Sequence, residues 1–317
     1  MRPPLFPTTF KDESGLALFM TIVTLAFLVI LVLQFVRFTR TTAQETAHFR
    51  DGIKATFLAK AGTAVAQAVL LSDAKTGGRI DGPQDAWAQP VSALPVRDGV
   101  LSVSIADEQG KFNLNNFARK EDVNIQEEHI RQLRRLFERL AIDPNVTDSI
   151  VDWIDGDDEP RPFGAESAYY QGLPHPYWPK NGTIENVLDM FLIKGMTDDM
   201  VATIQPYITI YPLDGEGAIN INTAHRWVLE TLHPQITPSV AERLVQARPF
   251  HTLFDVDRVG GMEEISKELR LRKAYQIHSE WFSIQSEGRI HETVKVARAV
   301  VNRQGTNNLQ LVYYRLD

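Results

Sequence analysis

From Leu16 to Val36 the chain runs 21 residues without a charge, and only Thr21, Thr24 and Gln34 break the apolar run. A helix rises about 1.5 Å per residue, so this segment reaches about 31 Å, the thickness of the hydrocarbon layer of a bilayer. It can span a membrane. A secretory signal peptide has a shorter apolar region closed by a small-residue cleavage site, and no Ala-x-Ala pattern follows Val36. Arg2 and Lys11 before the run are matched by Arg37 and Arg40 after it, so charge leaves the orientation open.

Helical periodicity continues past the span. Ile53, Phe57, Ala61, Ala64, Ala68 and Leu71 recur at intervals of three or four, and no proline occurs between Pro7 and Pro83. Two readings follow: an anchor with a separate amphipathic helix after it, or one helix whose second half lays this stripe on a small domain. The second arrangement resembles a type IV pilin or pseudopilin, in which a short polar leader and a Gly precede a hydrophobic helix. The resemblance implies a leader over 1–15 and cleavage by prepilin peptidase between Gly15 and Leu16, with a methylated new N-terminus. Most pilins carry a Glu at the fifth mature position, thought to pair with the N-terminal amine of a neighbouring subunit inside the filament. This chain has Met20 there. An unpaired acid in an apolar core would be expensive, so a subunit without it is better suited to a filament end.

Composition narrows the rest. The 317 residues carry a net charge of -7, which opposes a general nucleic-acid binder, because neutralising phosphates takes a surplus of Lys and Arg. With no cysteine there are no disulfides, thiolate metal sites or Cys nucleophiles. A Gly/Pro-rich loop over 75–90 leads to a strand with Leu101, Val103 and Ile105 on one face. Strand character then vanishes between Phe117 and about Tyr275. It returns as three β-rich runs, expected to be separated by turns at Glu287-Gly288 and over 302–308. This pattern predicts an α+β protein, a long N-terminal helix plus antiparallel sheet split by a large inserted all-α domain, and the pilin resemblance implies that the split domain is pilin-like. The expected divisions are 16–36 for the span, 37–116 for the first part of the pilin-like domain, 117–275 for the insert and 276–317 for the closing strands.

Within the insert, seven carboxylates and one base, Arg161, fall between Asp148 and Glu166. Asp148, Asp152 and Asp155 keep helical spacing. Asp155, Asp157, Asp158 and Glu159 then enter a turn with Gly156, Pro160 and Pro162. Oxygens from an irregular loop, completed by a more distant carboxylate such as Glu166, are how a protein builds a calcium shell, although the spacing is not that of an EF-hand. A solvated acidic loop and the paired carboxylates of a glycosidase are the alternatives. Two further stretches read as helix-turn-helix units. "IKGMTDD" places Thr197 as an N-cap. "HPQITPS" stands where a helix-hairpin-helix protein presents backbone N–H groups to phosphate, but it has no Gly and two prolines, so a packing role is expected. Catalytic motifs are missing: no His-Glu-x-x-His, no Gly-x-Ser-x-Gly, and only an isolated "SDAK" at Ser72–Lys75.

Taken together, the Gly15 junction without the acid, "GKFNLNNF" at 110–117, "DWIDGDDEPRPFGAESAYY" at 152–170, "ININTA" at 219–224 and "RPF" at 248–250 resemble the minor pseudopilin K family of type II secretion systems. The resemblance covers nearly the whole chain. It implies a pilin-like domain with a large α-insert of helix-hairpin-helix-like or SAM-like units, in the bacterial inner membrane with its globular part in the periplasm. It further implies structural calcium held among Asp155, Asp157, Asp158, Glu159 and Glu166, and a tip complex with the minor pseudopilins I and J. Contact with other pseudopilins and prepilin peptidase is implied, and no nucleic acid. The expected role is to cap and initiate the pseudopilus that supports export of folded proteins, not to act as an enzyme. A membrane-anchored DNA-uptake protein and a membrane-tethered hydrolase are the rival readings.

Overall fold

The computed structural model describes residues 13–76, 80–118, 123–215 and 217–317; the leader expected before Gly15 lies, through residue 12, outside them. The absence of proline is realised as one uninterrupted helix, α1 (Glu13–Thr76), 64 residues long. Every residue from Leu16 to Val36 on it is exposed, the state of a helix whose apolar surface has no protein partner. Its second half lies across a five-stranded antiparallel sheet of spatial order β1 (Val91–Val96), β2 (Gly99–Asp107), β7 (Trp281–Ile290), β8 (Thr293–Gln304) and β9 (Asn308–Leu316). The strands β1 and β2 precede the insert.

The face of α1 laid on the sheet is Asp51, Ala55, Ala59, Gly62, Thr63, Ala66 and Leu70. It differs from the stripe expected from periodicity, of which Ile53, Phe57, Ala61, Ala64 and Ala68 are all exposed. The physical reason is the closeness of the packing, which admits small residues and turns the bulky ones outward. Leu70, Trp87, Leu101, Phe282 and Val301 fill the layer between helix and sheet.

The insert follows β2 as β3 (Phe112–Asn113), α2 (Val123–Arg139), α3 (Val146–Ile154), α4 (Ser167–Gln171), α5 (Asp198–Ile204), β4 (Ile208–Thr209), β5 (Ile219–Asn220), α6 (Arg226–Thr231), α7 (Pro238–Gln246), α8 (Ile265–Leu271) and β6 (Tyr275–Gln276). The four short strands form two parallel two-residue ladders, β3 with β4 and β5 with β6. The insert has two cores, one around Phe112, Phe137, Trp153, Tyr170 and Ile204, the other around Ile221, Leu229, Leu244, Phe250 and Leu269. Phe112, Leu114 and Phe117 belong to the first of these, so the chain leaves the sheet at Asp107, earlier than the division at 117 expected from sequence.

It returns in β7 (Trp281–Ile290), β8 (Thr293–Gln304) and β9 (Asn308–Leu316). Glu287-Gly288, expected as a turn, sits inside β7. A Cβ at Gly288 would lie 2.4 Å from the Ala55 carbonyl oxygen, so glycine serves the approach of α1 to the sheet instead. Asp107 and Phe282 are register partners in the β2·β7 ladder, so the insert leaves and re-enters the sheet at one point.

Candidate functional site

The acidic run divides into two groups with different tasks. α3 carries Asp148 and Asp152 inward, both buried, and these pin the loop that follows. Asp148 pairs with Arg134 at 2.5 Å and accepts the Phe163 N–H at 3.3 Å. Asp152 Oδ2 accepts the Arg161 N–H at 3.0 Å, and the loop packs so closely that a Cβ on Gly164 would fall 1.9 Å from that oxygen. A side chain there would push the Asp152 carboxylate off the loop it pins. Lys194 donates to the Gly164 carbonyl at 2.8 Å and Ser149 to that of Phe163 at 3.2 Å, which fixes the far side of the loop.

With the loop held, Asp155, Asp157 and Glu166 converge, each offering a carboxylate oxygen within 4.8 Å of the others. Of the remaining expected ligands, Asp158 accepts the Ser167 N–H at 3.2 Å, and exposed Glu159 gives its backbone N–H to Asp157 at 3.0 Å. Neither joins the convergent set. Asp155 Oδ1, Asp152 Oδ1 and both oxygens of Glu166 are buried with no hydrogen-bond partner. Burial, then repulsion from neighbouring carboxylates, pushes Asp155 up to about 7 and Glu166 up to about 8. Orphaned carboxylate oxygens in a rigid loop are a donor set suited to a hard cation of flexible coordination such as calcium.

A second acidic group lies at the membrane-distal end of α1. Asp73, Asp81 and Asp85 also offer oxygens within 4.8 Å of one another, but Arg303 of β8 reaches Asp73 at 3.1 Å and Asp81 at 2.5 Å. Asp81 further accepts the Ser279 N–H at 2.8 Å. Asp107 beside it accepts from Ser279 Oγ, Thr223 Oγ1 and Asn220 Nδ2, at 2.6, 2.6 and 3.0 Å. Burial raises Asp107 to about 6. This network joins α1, the sheet and the insert at the point where the chain crosses between them.

Sequence reasoning used the asparagine motifs without seeing their work. Asn115 donates to the Ile184 and Ile210 carbonyls and accepts the Ile184 N–H, and Asn222 exchanges both bonds with the Phe250 backbone. Each buried amide thus stands in for a strand partner where none runs. The sequence reading also missed a glycine hairpin, Gly260-Gly261, before α8. The Gly261 N–H donates to Glu263 at 3.0 Å, placing a carboxylate where a nucleic-acid phosphate would have to sit. The arginines of α2 are likewise occupied: Arg131 and Arg135 by Glu128, Arg134 by Asp148 and Arg139 by Glu230.

Fold and surface together define a pilin-like protein with a single apolar N-terminal helix and a globular remainder interrupted by a helical insert. Two family models, both described as type II secretion system (T2SS) protein K, match residues 110–213 and 219–277, between them slightly more than half of the chain. The chain belongs to the type II secretion system protein K family and is a minor pseudopilin. It is 28% identical to type II secretion system protein K of Pseudomonas aeruginosa over 249 residues, 75% of this chain and 73% of that one. The protein K of Pectobacterium carotovorum subsp. carotovorum is 26% identical over 309 residues, covering 92% and 93% of the two chains. Among solved structures, a chain of the GspK-GspI-GspJ complex of enterotoxigenic Escherichia coli superposes with a TM-score of 0.72 at 20% identity, over 88% of this chain and 99% of that one. That likeness establishes the fold.

Proposed function

We propose that this protein caps the tip of a short periplasmic pseudopilus, initiating its assembly together with minor pseudopilins I and J, the partners that the related complex is named for. The observation that carries the reading is the division of labour along α1. Phe49, Ile53, Phe57 and Val65 stand 43–72% exposed at four- and eight-residue intervals, an apolar stripe that continues the membrane span and is open to neighbouring helices. The far end of the same helix is tied to the insert instead: Asp73 is linked through Arg303 to the segment that returns from it. A subunit so built offers the flank of its helix to neighbours below and carries the bulk of the insert at the opposite end. Met20 in place of an acid fits the same end position, and cleavage between Gly15 and Leu16 would set it fifth in the mature chain.

The role is mechanical, not catalytic. Asp155, Asp157 and Glu166 meet at one point instead of facing each other across a substrate cleft, as the two carboxylates of a glycosidase must. Calcium held by these three, beside Asp152, would supply the positive charge that their buried oxygens lack. The loop, fixed by Asp148, Asp152 and Gly164, presents the carboxylates in advance of the ion.

Labelling the protein in native envelopes tests the capping role. It is expected at filament ends only, and as a species beginning at Leu16 by mass spectrometry. A variant whose insert is replaced by a two-residue turn is expected to enter the shaft as well. Wild-type label distributed along the shaft would overturn the proposal.

A further inference from the structure

The sheet has two edges, and only one is closed. Strand β1 has six residues, a register shift between Val91 and Leu94, Ala93 at a φ of 54° and Pro95, devices that stop another strand from pairing. Strand β9 has nine residues, "NLQLVYYRL", with no Pro, no Gly and Arg315 as its one charge; its register shift against β8 falls at Val312 and leaves residues 313–316 in regular alternation. Among the described residues its main chain pairs with β8 alone. Val296 and Asp317 exchange both backbone bonds, at 2.9 and 3.2 Å, and Arg298 faces Arg315 two residues on. Antiparallel pairs alternate, so residues 315 and 317 turn their N–H and C=O toward β8. Tyr314 and Leu316 therefore turn theirs outward, unpaired.

Beside this edge, on the sheet face away from α1, a cleft of about 500 Å³ runs between sheet and insert. Leu188, Phe191 and Val201 wall it on the insert side, Val300 and Tyr313 on the sheet side. Leu188 and Phe191 are 54% and 45% exposed, and Leu311, Tyr313 and Tyr314 of β9 are 38–47% exposed. An open edge specifies the form of its occupant. A helix has already used its main-chain groups internally, whereas an extended segment brings free donors and acceptors, and every second side chain falls on the cleft side.

We infer that β9 is a strand-addition site, taking an extended segment of a neighbouring pseudopilin whose alternate residues are apolar and enter the cleft beside Tyr313. The inference rests on the tip-assembly reading above and adds to it a second surface, remote from the α1 stripe. That stripe joins helices; this edge joins sheets.

Proline separates the surface from the fold. At residue 314 it removes an outward N–H and costs β8 nothing, so Tyr314→Pro is expected to keep the thermal stability of the full-length protein. Its association with co-expressed minor pseudopilins I and J should weaken roughly tenfold or more. Tyr314→Thr, which keeps the N–H, should bind as wild type. Hydrogen exchange on the unaltered protein gives a second readout: the Tyr314 and Leu316 amides should exchange fast in the free protein and become protected in the complex. Full binding by Tyr314→Pro, or unprotected amides in the complex, would sink the inference and leave tip assembly standing. So would protection arising from self-association in the absence of I and J, since it would make β9 a homodimer edge. Wild type failing to bind I and J at all would instead remove the reading beneath it.

Discussion

Two trios of carboxylates in this molecule solve the same electrostatic problem in opposite ways. In the trio of Asp73, Asp81 and Asp85 the first two pair with Arg303, a cation that the chain supplies itself, and Asp81 is fully hydrogen-bonded. Asp155, Asp157 and Glu166 form no ion pair with a basic side chain among the described residues, the nearby Arg161 reaching Asp152 instead, and three of the orphaned oxygens belong to Asp155 and Glu166. The first arrangement carries its own clamp. Under the calcium reading proposed above, the second would make the insert's stability conditional on what the surrounding fluid contains.

The sharpest way to break this contrast is to remove the internal cation. Arg303→Met leaves Asp81 buried without a counter-charge and is expected to cost about 3–5 kcal/mol of stability, read as a lower melting temperature that added calcium does not restore. Full rescue by calcium would mean that the two trios are equivalent. Next in size is withdrawal of the external cation. At calcium a hundredfold above its dissociation constant, chelation should remove about 2.7 kcal/mol and lower the melting transition by about 5–10 °C. Glu166→Gln should weaken calcium binding by about tenfold or more while leaving the calcium-free protein no less stable, because a repelling charge is gone. An unchanged melt after chelation would contradict the calcium proposal.

The smallest effect concerns Asp107, in the network beside the Arg303 trio. Its folded pKa of about 6 stands above the ordinary value of 3.8, so between those two pH values the folded state keeps a proton that the unfolded state has lost. Stability contributed by this group is therefore present at low pH and falls as pH rises through the window, by at most about 1.4 kcal/mol per pH unit. Asp107→Asn should flatten that part of a melting-temperature profile measured from pH 4 to pH 6.5. An identical slope in both proteins would move the titration elsewhere.

Local signals carried much of this architecture. The span, the strand at 99–107, the three closing strands and the acidic loop could all be read from runs of residue types. Which face of α1 packs could not. Close packing on the sheet selects Ala55, Ala59, Gly62 and Ala66, so the buried side is less hydrophobic than the side bearing Phe49 and Phe57, and a reading weighted by hydrophobicity chooses the wrong one. Gly288 misled for a related reason: glycine marks a turn and a close approach equally well in a sequence. The Arg303–Asp81 pair joins residues 222 positions apart, and no local pattern announces it. In the acidic loop, type and place were legible but roles were not, because the split among Asp148, Asp152 and Asp155 depends on which way a helix ends.

The single crossing point at Asp107 and Phe282 has a mechanical consequence. The insert hangs from two strands that are neighbours in the middle of the sheet, each flanked on its other side by a further strand, β1 or β8. Tension drawn through that covalent tether acts along the strand axes, so it must slide whole ladders past one another and break many rungs together instead of opening them one at a time. A head joined to its stem in this manner resists being pulled off along the strands.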